Sequence, residues 1–76
     1  MLQTLHKIFR PNSIAAIGAS DKEESVGYAL MHNLLTGEFK GTIYPVNKNH
    51  HRVQGQKAYS SVKGIPEKVD LAVIIS

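Results

Sequence analysis

Gly18, Ala19 and Ser20 follow directly on an apolar run, Ile14-Ala15-Ala16-Ile17, and lead through a polar stretch into an amphipathic segment. A strand that enters a turn of such small residues, with a helix after it, leaves backbone N–H groups unpaired and about half a positive charge beside the strand end. Phosphate is the natural guest of that arrangement. Glycine at 18 permits the tight turn, Ala19 and Ser20 leave room for an anion, and the Ser20 hydroxyl can donate to a phosphate oxygen. Gly27, where the amphipathic segment begins, allows either close helix packing or ligand approach. A branched side chain at 18 is expected to occupy the anion's space and strain the turn while barely changing the fold.

The second candidate is Val46-Asn47-Lys48, at the end of the β-branched and aromatic run Thr42-Ile43-Tyr44-Pro45-Val46. Strict dinucleotide sites read G-x-G-x-x-G and place an acidic residue at the end of the second strand to hold the ribose hydroxyls. Position 20 is Ser, the next glycine is Gly27, and Lys48 stands where Asp or Glu would be. NAD is therefore disfavoured. A cation in place of the acid changes the expected partner from a ribose diol to an additional phosphate, leaving NADP and coenzyme A as ligands.

Other groups carry weaker signals. His50 and His51 are adjacent on a loop and lack a suitably spaced carboxylate or Cys, so a metal site is not expected. Asp21, Glu23 and Glu24 are neighbouring acids on a polar loop with no apolar pocket and read as capping and solubilising groups. Asp70 opens a strand and is expected to accept local hydrogen bonds. Ser60-Ser61 lacks a nucleophile elbow and a base, which leaves acyl transfer unsupported.

These residues need elements to hold them. Ile14-Ala15-Ala16-Ile17 reads as a strand covered on both faces, and Asp70-Leu71-Ala72-Val73-Ile74-Ile75 as another of the same kind. Between them, Val26, Ala29, Leu30 and Leu34 form one stripe of a helix of about ten residues, stopped by Gly37. Its start is either a Ser20/Glu23 capping box or a cap at Ser25. Thr42-Ile43-Tyr44-Pro45-Val46 is the second strand, with Pro45 near enough to its end to cost little pairing. A short strand is expected at Lys57-Ala58-Tyr59; if parallel, its crossover of about ten residues must be compact or irregular. Residues 60–65 add a helical turn before Pro66, and Leu5, Ile8 and Phe9 suggest a brief helical brace ended by Pro11. The fold class is α/β: a Rossmann-like doubly wound parallel sheet, truncated after its fourth strand.

Seventy-six residues hold one small domain, and a chain that stops on its most apolar strand reads as the N-terminal portion of something larger or as a module needing a partner. Its uncovered sheet face makes homo-oligomerisation an expectation. No cysteine is present, which removes disulfides and thiolate chemistry and suits a cytoplasmic location. The apolar runs are far shorter than the roughly 18 residues of a membrane span, so no membrane partner is expected. Nine Lys/Arg against six Asp/Glu give a net charge of +3, but with no dense basic run and few aromatics, nucleic acid is not expected either.

Several segments occur together in a telling order: Ile8-Phe9-Arg10-Pro11-Asn12-Ser13-Ile14, Ile17-Gly18-Ala19-Ser20-Asp21, Val26-Gly27, Tyr44-Pro45-Val46-Asn47 and Val69-Asp70-Leu71-Ala72-Val73-Ile74. Along nearly its whole length the chain resembles the N-terminal CoA-binding domain of NDP-forming (ADP-forming) acyl-CoA synthetases, relatives of the succinyl-CoA synthetase α subunit. The same domain occurs in proteins that fuse this region to an acetyltransferase. The resemblance implies that residues 1–76 are a CoA-binding Rossmann-like domain, with Gly18, Ala19 and Ser20 lining the phosphate turn and Gly27 near the helix start. It also implies that Val46 and Asn47 flank the adenosine. In the family, Pro-Val-Asn usually continues with a further proline and often a lysine. Here Lys48 takes the proline position, so the cation that meets phosphate is open among Lys48, Lys22 and Arg52.

Members of the family continue into further strands, helices and domains that carry the phosphorylated histidine and the nucleotide site. The resemblance therefore implies coenzyme A or acyl-CoA as ligand and the remaining synthetase domains or subunit as partners, with no catalytic residue in this chain. Two alternatives stay open: a stand-alone or regulatory CoA or acyl-CoA module of an acetyltransferase-type protein, and an NAD(P)-binding Rossmann fragment.

Overall fold

The computed structural model describes residues 11–37 and 39–75. In chain order these form β1 (Ser13–Ile17), α1 (Val26–Thr36), β2 (Thr42–Val46), β3 (Arg52–Val53), β4 (Gln56–Lys57) and β5 (Leu71–Ile74), with a 3-10 turn at Val62–Gly64. β1 is the centre of a three-stranded parallel sheet ordered β2-β1-β5. The architecture is Rossmann-like α/β, as apolar strands joined by an amphipathic helix imply. The brace expected at residues 5–9 lies outside the described residues.

β1 is covered on both faces, and its alanines keep the layers close. Ala16 packs with Ala19, Met31, Val53 and Ala58 on the helix side, while Ala15 packs with Val46 and Ile65 on the other. The stripe expected at Val26, Ala29, Leu30 and Leu34 is corrected: Val26 and Ala29 are exposed. The helix α1 is turned so that Gly27 and the wholly buried Met31 face inward with Leu30, Leu34 and Leu35 beside them, because Gly27 is packed tightly against Gly18. Of the two helix starts left open by the sequence, the later is used. Ser25 takes an extended backbone, its hydroxyl accepts from the Tyr28 N–H at 3.0 Å and donates to the Lys22 carbonyl at 2.7 Å. At the other end the Gly37 N–H donates to Asn33 O.

Pro45 sits inside β2 without breaking the ladder to β1. The Val46 carbonyl faces β1, accepting from the Gly18 N–H, whereas the Pro45 carbonyl faces away and accepts from the Tyr59 N–H. The donor that proline lacks therefore belongs to the side away from β1.

Beyond β2 the expected short strand at 57–59 is corrected. Arg52–Val53 and Gln56–Lys57 pair antiparallel as a small hairpin, and only Tyr59 lies along β2, bridging Val46 in parallel. A hairpin anchored by the wholly buried Val53 thus replaces a crossover helix, which so short a connection has no room to form.

The last strand is also corrected. β5 alternates half-buried Leu71 and Val73 with exposed Ala72 and Ile74, instead of being covered on both faces. Ala72 and Ile74 are in register with Ala15 and Ile17 and share their face. The layer on that face is short, built around Ile65 and Val69 with Tyr44 and Tyr59, and it covers the β1–β2 side of the sheet.

A buried serine ties the start of β1 to the entry of β5. Ser13 donates its hydroxyl to Lys68 O and accepts from the Asp70 N–H, both at 2.9 Å. Asp70 in turn accepts from the Asn12 N–H at 2.8 Å, so its bond spans the sheet instead of being local.

Candidate functional site

All the parallel segments end at one edge of the sheet, and a cleft of about 430 Å³ opens there. Ile17 and Gly18 come from the end of β1, and Val46, Asn47 and Lys48 from the end of β2. Ser60, Ser61 and Val62 follow Tyr59, and Ile75 follows β5. The walls are mostly aliphatic and the rim carries an amide, hydroxyls and one cation, a surface suited to a heteroaromatic ring with anionic substituents.

Gly18 is exposed at this edge with φ +96°, a conformation that favours glycine. A β-carbon there would stand 2.7 Å from the Ile75 carbonyl oxygen. The expectation that a branched residue at 18 would leave the fold nearly unchanged is therefore corrected: the turn has neither the dihedral nor the space for one. Gly27 lies behind the turn, where a β-carbon would overlap the Gly18 carbonyl oxygen. This absence of a side chain brings the first turn of α1 directly onto the 18–20 turn.

The donors of the turn are unevenly committed. The Gly18 N–H is spent on Val46 O at 3.1 Å, and the Ala19 N–H makes a long contact of 3.4 Å to Ala16 O. Among the described residues, the Ser20 and Asp21 N–H groups are bonded to no acceptor. Ser20 Oγ accepts from the Lys22 N–H at 2.9 Å, which leaves the hydroxyl proton available. Two backbone N–H groups and one hydroxyl proton of the turn are thus uncommitted donors among the described residues.

A family model described as a CoA binding domain matches residues 12–76. The chain belongs to this family. This CoA binding domain is 50% identical over 68 residues to an ADP-forming 4-hydroxybutyrate–CoA ligase of Nitrosopumilus maritimus, covering 90% of this chain and 10% of the ligase. It is 49% identical over 72 residues to the α subunit of ADP-forming acetate–CoA ligase II of Pyrococcus furiosus, covering 93% of this chain and 15% of that subunit. Among solved structures, the apo dinucleotide-forming acetyl-coenzyme A synthetase 1 of Ca. Korarchaeum cryptofilum matches with a TM-score of 0.90 and 40% identity, over 95% of this chain and 16% of the other. The chain thus spans a small fraction of each of these relatives.

Of the residues singled out from the sequence, Gly18, Val46, Asn47 and Lys48 line the cleft of the CoA binding domain. Ala19 is wholly buried in the helix-side core, Gly27 is buried behind Gly18, and Ser20 lies one step along the turn, half-buried. Asn47 does more than line a wall. Its amide nitrogen donates to Ala19 O at 3.0 Å, and its oxygen accepts from the Asn49 and His50 N–H groups. It therefore joins the glycine turn to the loop that carries Lys48. Among the candidate cations, Lys48 borders the cleft, while Arg52 donates its guanidinium to Gly55 O within its own hairpin at 2.6 Å.

Ile17, Ile75 and the Ser60-Ser61-Val62 wall also line the cleft and were not singled out from the sequence. The signal for that wall was present: residues that follow a segment paired in parallel with β2 must emerge at the same sheet edge. In the middle of β2, Tyr44 is half-buried and its hydroxyl reaches Glu67 at 3.4 Å. Partial desolvation first, then the Glu67 carboxylate, raise the Tyr44 pKa above its ordinary 10.0. The His/Cys/Asp/Glu residues of the described portion form no metal-holding cluster.

Proposed function

We propose that this chain is the CoA-binding portion of an ADP-forming acyl-CoA synthetase of the acetyl-CoA type, and that the cleft at the carboxyl ends of β1 and β2 receives the coenzyme. The adenosine enters between Ile17, Val46 and Val62. The pyrophosphate is met by the 18–20 turn, with the Ser20 and Asp21 amides and the Ser20 hydroxyl as donors and the α1 N-terminus behind them. Lys48, at the rim, meets the 3′-phosphate. The single observation that carries this reading is the position of Gly18 and Lys48 on one cleft in a chain of the CoA binding domain family.

In this reading the domain grips and orients the coenzyme, while bond-making chemistry belongs to other synthetase domains or to a partner subunit. Fixing the adenosine and phosphates leaves the flexible pantetheine arm free to deliver its thiol elsewhere. No helix among the described residues is long and apolar enough to cross a membrane. We place the protein in the cytoplasm, a location that its lack of cysteine supports.

Calorimetric titration with coenzyme A, dephospho-CoA and NADPH tests the assignment. Coenzyme A is expected to bind most tightly, with affinity reduced on loss of the 3′-phosphate. A preference for NADPH overturns the reading.

A further inference from the structure

The tip of the β3–β4 hairpin breaks a local rule. Val53 pairs with Gln56, so Gln54 and Gly55 are the two turn residues, and both have positive φ, 49° and 82°. Asn, Asp or Gly is strongly favoured at the first position of such a turn. Gln54 is the one non-glycine residue with positive φ among the described residues. A long side chain in this conformation is strained relative to glycine.

The side chain makes contacts that a shorter one would not reach. Its amide nitrogen donates to Ser20 O at 3.0 Å and to Tyr28 O at 3.1 Å, using both hydrogens, while the Gln54 backbone N–H donates to the Asp21 carboxylate at 2.6 Å. One residue thereby links the end of the glycine turn, the loop after it and the first turn of α1. The hairpin that presents it is held by Val53, buried in the core with Met31. A trans peptide points its C=O and the following N–H in opposite directions. Holding Ser20 O toward the hairpin therefore sets the direction of the Asp21 N–H. The Asn47 bond to Ala19 O does the same for the Ser20 N–H.

We propose that Gln54 is a positioning residue for the coenzyme's pyrophosphate, a role that rests on the ligand assignment above. It touches no ligand itself; it fixes the Ser20–Asp21 peptide so that the turn is organised before the anion arrives. Preorganisation of this kind lowers the ordering cost of binding.

The test is Gln54→Asn, with Gln54→Gly as a second variant, since both residues suit the turn better than Gln. Relief of backbone strain and loss of the two side-chain bonds oppose one another, so each variant is expected to keep the urea midpoint near the wild-type value, yet to weaken coenzyme A binding by roughly five- to ten-fold. Hydrogen exchange at the 20–27 amides is expected to accelerate, with exchange in β1 and β2 unchanged. Unchanged affinity overturns the proposal, and so does a loss of affinity that merely tracks a loss of stability. Wild-type protein that fails to bind coenzyme A removes the ligand assignment and this proposal together; wild-type binding with an indifferent Gln54→Asn removes the proposal alone.

Discussion

The α-carbon of Gly27 rests against the carbonyl oxygen of Gly18, so that the first turn of α1 and the turn at the end of β1 are in backbone contact. The obstructing atom belongs to the main chain, and no rotamer change relieves it. Gly27→Ala must push the helix off the turn. Overpacking of this kind costs about 1–3 kcal/mol, and coenzyme A binding is expected to fall with it. Urea denaturation beside calorimetric titration checks both effects; an unaltered denaturation midpoint contradicts the packing role.

Gly18→Ala meets both a φ of +96° and the Ile75 carbonyl. The dihedral alone costs about 1 kcal/mol or more, so a stability loss should accompany weaker ligand binding. Thermal melting of the variant decides between this outcome and a purely local block, which would leave the melting temperature in place.

Lys48→Ala is expected to lower affinity for coenzyme A by roughly ten-fold, in line with one charge-assisted hydrogen bond. Dephospho-CoA binding should change little. If both ligands lose affinity equally, Lys48 does not read the 3′-phosphate.

Ser13→Ala probes the far side of the sheet from the cleft. Removing the hydroxyl leaves the Asp70 N–H and Lys68 O without their partner in a part-buried setting, a loss of about 1–3 kcal/mol. Chemical denaturation should show it while the affinity for coenzyme A stays at the wild-type value.

Tyr44 should titrate above the ordinary tyrosine value, and Glu67→Gln should bring it down by removing the second cause of the shift. Since the folded state holds this proton more tightly than the unfolded chain, its contribution to stability is complete below the unfolded pKa of 10.0 and fades as pH rises through the folded one. Absorbance at alkaline pH follows the phenolate directly. A wild-type titration identical to that of Glu67→Gln rules out the carboxylate's part.

Much of the scaffold was legible one segment at a time. The two apolar runs and the small residues at 18–20 each state a local preference with which the parallel sheet agrees. The helical period between them places a helix, though not the face it buries: Val26 and Ala29 are exposed while Gly27 and Met31 are buried. The cleft was legible where it is built from strand ends, at Gly18, Val46, Asn47 and Lys48. The wall at Ser60-Ser61-Val62 was not, because its place depends on Tyr59 pairing with Val46, a contact between chain segments that the hairpin brings together.

The amino-acid order by itself determined the strand–turn–helix unit, because burial periodicity and glycine's dihedral freedom act over a few neighbouring residues. Tertiary structure alone decided which turn carbonyls are held and by what. Asn47 and Gln54 approach the turn from the end of β2 and from the hairpin tip, and neither direction is encoded by nearby residues. The same holds for β5, whose composition suits cover on both faces while its neighbours in space leave Ala72 and Ile74 exposed. Hydrophobicity specifies what a side chain favours; only packing determines whether a neighbour is there to provide it.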